Sequence, residues 1–100
     1  MIIRIFGTAV EPEDVDRATN VFEAEVRPVF NEFDGCAGVD WYIGIDEHSG
    51  DLVDAIAISR WESQEAITKA IGSNEYNQAL ANLRQLFRQS PIVHHYRGGE

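Results

Sequence analysis

The sequence predicts an α+β fold of ferredoxin-like type, in which strand, helix, strand, strand, helices and strand build a four-stranded antiparallel sheet with its helices on one face. Three observations carry this reading. Short runs rich in β-branched and aromatic residues recur along the chain, two long stretches place apolar residues at helical spacing, and a polar connection joins the second and third runs as a hairpin.

Ile2 to Ala9 is the first strand, with Ile3 and Ile5 on one face and Ile2 and Phe6 on the other. Glu11-Pro12-Glu13-Asp14 starts a helix, with Pro at the first position, where its missing N–H costs nothing, and carboxylates at the positive end of the dipole. Val15, Ala18, Phe22, Val26, Val29 and Phe33 then form one apolar stripe. Pro28 removes the bond to the Ala24 carbonyl, so a kink or break is expected there. Asp34-Gly35-Cys36-Ala37-Gly38 is a turn, and Val39 to Ile45 alternates as the second strand, with Val39, Trp41, Ile43 and Ile45 opposite Asp40, Tyr42, Gly44 and Asp46.

The polar run 46–51 leads into the third strand, Leu52 to Trp61. Ser63 caps a short helix from about Gln64 to Ile71, and Gly72 stops it. Ser73 or Asn74 caps the next, whose stripe is Tyr76, Ala79, Leu80, Leu83 and Phe87. Ser90-Pro91 ends it, and Ile92 to Tyr96 is the last strand.

Strands one and three are apolar on both faces, whereas a sheet open to water alternates apolar with polar. Helices cover one face only. The other is expected to be covered by a second copy, giving a homodimer packed sheet to sheet.

Composition narrows the function classes. One hundred residues make a single domain, 1–100, and a net charge of -9 disfavours nucleic acid as a partner. No apolar run is long enough to span a membrane, and the start, Met1 to Phe6, lacks the pattern of a signal peptide, so the expected location is the cytoplasm. The lone Cys36 permits no intrachain disulfide or thiolate cluster and reads as an inert turn or core residue.

Three pieces together resemble the antibiotic biosynthesis monooxygenase family of the dimeric α/β-barrel superfamily: the turn Asp34 to Gly38, the step Trp61-Glu62-Ser63-Gln64-Glu65-Ala66, and Ser73-Asn74-Glu75-Tyr76. The resemblance implies oxygenation of a small aromatic or polycyclic substrate without metal or organic cofactor, in a cavity between sheet and helices. It does not extend to haem degradation: the triad of that branch would fall on Ala70 and Leu80, with Gly7 or Thr8 and no Asn on strand one. In the quinone-forming branch the motif positions are Trp61, Ala57 and Ile67, and only the Trp is kept.

Such chemistry needs a dry pocket, a base and a donor for the resulting anion. His94 or His95 is the candidate base and Arg60 or Arg97 the candidate anion stabiliser. Trp61, Tyr42 and Tyr76 are the candidate pocket residues, with Tyr96 a further hydrogen-bond partner. Each has a plainer reading. Adjacent strand histidines point to opposite faces and serve structure or solvent; Arg4, Arg60, Asp40 and Asp54 form an interface ion-pair network; Trp61 is a core or pocket-wall aromatic. His48, with Asp46, Glu47 and Asp51, reads as a solvated hairpin tip, its spacing fitting no calcium loop. No cofactor or metal is expected. Two further functions stay open: a non-catalytic dimer that binds a small metabolite or serves a structural or stress role, and isomerase or lyase chemistry on an acidic molecule, which requires a cationic pocket.

Overall fold

Alternation of inward and outward side chains sets the position of each strand. The computed structural model describes residues 1–46 and 51–98, so the predicted hairpin tip with His48 lies outside the described residues. Strands β1 (Ile2–Val10), β2 (Cys36–Ile43), β3 (Val53–Trp61) and β4 (Ile92–Arg97) form one open antiparallel sheet in the order β2-β3-β1-β4. The two strands that read as apolar on both faces are the two central ones.

The helices are α1 (Val15–Val21), α2 (Arg27–Asn31), α3 (Gln64–Ile71) and α4 (Asn74–Arg84). A 3-10 turn at Pro12–Asp14 precedes α1, as Pro at a first helical position favours. Ser63 Oγ accepts the Ala66 N–H at 3.1 Å and Ser73 Oγ accepts the Tyr76 N–H at 3.2 Å, so both predicted caps form. Between sheet and helices the core joins Val10, Val39 and Trp61 to Phe22, Val26, Phe30, Ile67, Leu80 and Leu83.

The interruption expected around Pro28 is present: α1 ends at Val21 and α2 begins at Arg27, with a different winding between them. Phe22–Val26 forms a π turn, in which the Arg27 N–H bonds back to the Phe22 carbonyl. The wider turn relieves the clash of the proline ring with the preceding turn and lets α2 restart with Pro28 in its first turn, where no N–H is needed. It also shifts the buried stripe. Ala18, Phe22, Val26 and Phe30 are buried at intervals of four, and Phe30 replaces Val29 as the inward residue.

β2 starts at Cys36, three residues before the predicted start, through an irregularity between Cys36 and Gly38. Gly38 takes φ +127, which a side chain would resist. The strand ends at Ile43, leaving Ile45 97% exposed. The outer face of the sheet presents half-buried Ile3, Ile5, Ile56 and Ile58 with exposed Tyr42, Ile92 and Tyr96.

Gly35 ties the turn before β2 to the start of α3. Its carbonyl accepts the Glu62 N–H at 2.8 Å, its φ is +79, and a Cβ there would lie 2.7 Å from the Ala66 Cβ. Gly35→Ala therefore combines a left-handed backbone with a clash, and costs roughly 1–3 kcal/mol. Urea unfolding is the check; an unchanged midpoint would show that the turn relaxes freely.

Candidate functional site

Even-numbered residues of β1 face the helices, which places Arg4 on the same side as Ile2, Phe6 and Val10. Arg4 is only 8% exposed. Its Nη1 donates to His95 Nε2 at 2.9 Å, and its Nη2 donates to the Tyr76 hydroxyl at 3.2 Å. Among the described residues no carboxylate pairs with it. A buried charge held only by neutral acceptors is uncommon, because desolvation is normally offset by a counterion.

The hydrogen bond fixes the state of His95. Nε2 accepts only when unprotonated, so the ring is neutral with its proton on Nδ1. Burial, then the Arg4 guanidinium and then His94, hold its pKa below the ordinary 6.5.

Arg4, Ser59 and Tyr76 are polar members of the lining of a cavity whose walls also include Phe22, Phe30, Trp41 and Leu83. Trp41 stacks on Phe22 with centroids 5.3 Å apart, and its indole N–H donates to Thr19 Oγ1 at 3.1 Å. The free volume is about 20 Å³, room for a water-sized occupant. The sequence-based expectation was a space for an aromatic molecule; a ring-sized guest requires these walls to part.

The candidate residues divide between the two faces. Tyr76 and His95 meet at Arg4. Trp61 is fully buried one layer away, where its indole N–H donates to Ser59 Oγ at 2.8 Å and its ring packs against Phe30 and Phe33. It is core and does not line the cavity. His94, Tyr42 and Tyr96 lie on the outer face, with the His94 ring 6.4 Å from that of Tyr96. Arg97 shares the register of Ile2 at the far end of β4.

Arg60 is also on the outer face, 3.1 Å from Asp40, which in turn lies 3.2 Å from Arg27. Hydrogen bonds from Arg27 and Arg60 hold the Asp40 carboxyl below its usual range. The network anticipated for Arg60 and Asp40 thus forms with Arg27 in it. Arg4 is no part of that network, which corrects the grouping made from sequence.

Arg4 as a site residue was missed, although the signal was present: it shares an alternation face with Ile2 and Phe6. Cys36 is half-buried, burial pushes its thiol pKa up, and this fits an inert residue. No helix among the described residues is long and apolar enough to cross a membrane.

A family model described as antibiotic biosynthesis monooxygenase matches residues 1–82. No curated protein matches the chain. Among solved structures, a "putative antibiotic biosynthesis monooxygenase" from Bordetella bronchiseptica is similar with a TM-score of 0.79 at 21% identity, covering 97% of this chain and 95% of that one. Rv0793 from Mycobacterium tuberculosis is similar with a TM-score of 0.70 at 19% identity, covering 99% and 95%. At3g17210 from Arabidopsis thaliana reaches 0.73 at 12% identity, covering 100% and 97%. At these identities the likeness is one of fold.

Because the fold favours the neutral His95 ring, that preference adds stability above pH 6.5 and is lost as pH falls through the depressed folded value. Arg4→Met removes one of the causes, so the His95 midpoint followed by NMR should rise toward 6.5 without fully reaching it. A midpoint that stays put would mean that Arg4 does not act on the ring.

Proposed function

Because the chain belongs to the antibiotic biosynthesis monooxygenase family, we propose that it admits a small aromatic molecule between sheet and helices and oxygenates it without metal or organic cofactor. The observation that carries this reading is an aromatic-walled cavity whose lining includes the hydrogen-bonded pair Arg4 and Tyr76. The walls are apolar and the polar groups few, as in sites that bury a flat ligand and orient it by one substituent.

In this reading a phenolic hydroxyl gives its proton to neutral His95, and Arg4 moves from the ring nitrogen to the phenolate oxygen. An electron-rich ring carbon then bonds to dioxygen, and loss of water from the resulting hydroperoxide leaves a quinone. Phenol and dioxygen become quinone and water, with four electrons passing from the ring to oxygen. His94 and Arg60, on the opposite face of the sheet, take no part. Trp61 holds Ser59 and the wall behind it.

A second copy covers the outer face in this proposal, burying Ile3, Ile5, Ile56 and Ile58 in a cytoplasmic homodimer. Tyr42, His94 and the Arg60–Asp40 pair then become interface groups. Sedimentation at micromolar concentration should give twice the chain mass; a monomer would remove this part of the proposal.

One observation favours a non-catalytic binding role instead. Ala57, where the resemblance looks for an Asn, lines the cavity, and Ile67, where it looks for a Tyr, is fully buried, so the polar set is thin. An oxygen electrode decides between the two. Hydroxylated naphthalenes and anthracenes with purified protein should draw oxygen above the protein-free rate, and no uptake across the panel assigns the protein to binding alone.

A further inference from the structure

The cavity described above has a feature that its family assignment does not supply: a buried cation, Arg4, with no counterion among the described residues. Arg4 comes from the centre of the sheet, and the groups facing it are Tyr76 on α4 and His95 on β4, both neutral. On α4, the Arg84 guanidinium carbon lies 5.8 Å from the centre of the Tyr76 ring. Asp40 on β2 is engaged by Arg27 of α2 and Arg60 of β3.

We propose that Arg4 is a specificity-determining residue which makes this site select ligands carrying one ionised oxygen acid, a phenolate, enolate or carboxylate, on a compact ring. The proposal rests on the reading of the cavity as a small-molecule site and names the ligand class it takes. A guanidinium has five N–H donors, of which His95 and Tyr76 occupy two. An anionic oxygen forms stronger, charge-assisted bonds with those that remain, or replaces the neutral His95 nitrogen. Tyr76 adds a second donor, since its oxygen accepts from Arg4 and its own proton is left to give. The single uncompensated charge sets the preferred ligand charge at minus one, because a second negative charge would be buried unpaired. Apolar walls sharpen the choice by weakening competition from water.

The probe is 4-nitrophenol, whose phenolate absorbs visible light, with 4-nitroanisole as its non-ionising counterpart. Bound to the native protein, 4-nitrophenol should develop phenolate absorbance at lower pH than in buffer, and should bind on the order of ten- to a hundredfold tighter than the anisole. Arg4→Met should remove both effects while keeping anisole binding, and Arg4→Lys should retain the spectral shift in part. The native-protein titration needs no variant, so a poorly folded Arg4→Met does not spoil the test. If both compounds bind equally and the phenol ionises no more readily when bound, anion selection is overturned while the cavity reading stands. If neither binds, both fall.

Discussion

A guanidinium buried without a carboxylate constrains everything around it. Arg4 must be met by lone pairs, and among the described residues it bonds to a hydroxyl on α4 and a ring nitrogen on β4. Those two contacts join an edge strand, a central strand and the last helix, segments up to 91 residues apart in sequence. They also fix a tautomer, because the cation tolerates His95 only as a neutral acceptor. The electrostatic character of the cavity follows from this arrangement, since the charge that Arg4 brings to its lining is positive.

On the other side of the sheet the charges are handled differently. Asp40 sits between Arg27 and Arg60, and Arg27 also bonds to Glu23, so signs alternate across the β2 edge. These groups are partly exposed, and such pairs contribute little each to stability. Their value is positional. They occupy the charges at the rim of the outer face, leaving its centre to isoleucines, which is the division an apolar interface with a polar border requires.

The fold was legible because its signals are periodic and local. The central strands show apolar residues on both faces, and the caps Ser63 and Ser73 stand where their side chains take N–H groups. The site was less legible, since it depends on pairs that sequence distance hides. His95 and Arg4 meet only through strand pairing, and Tyr76 reaches them only once α4 lies across the sheet. Arg60 and Tyr42 drew notice for their chemistry, yet their alternation placed them on the face away from the helices. At Pro28 the interruption was legible but not its form, because proline rules assume an α-helical ladder and the wider turn before it changes the bonding partners.

That wider turn fixes how many residues the first helical arm can contain. A π turn is in effect one residue more than the α-helical path needs, taken up without disturbing the ends. Deleting a single residue between Phe22 and Val26 would return the arm to ordinary winding with its ends in place, whereas deleting one from the regular turns of α1 would swing everything after it by about 100°, the angle of one helical step. Asn31 would then take the inward place of Phe30, and Arg27 would turn away from Asp40. The segment is thus counted as well as composed. Substitutions there are judged by volume, while insertions and deletions are judged by rotation, and only changes that restore the count keep both the cavity wall and the Arg27 clasp in place.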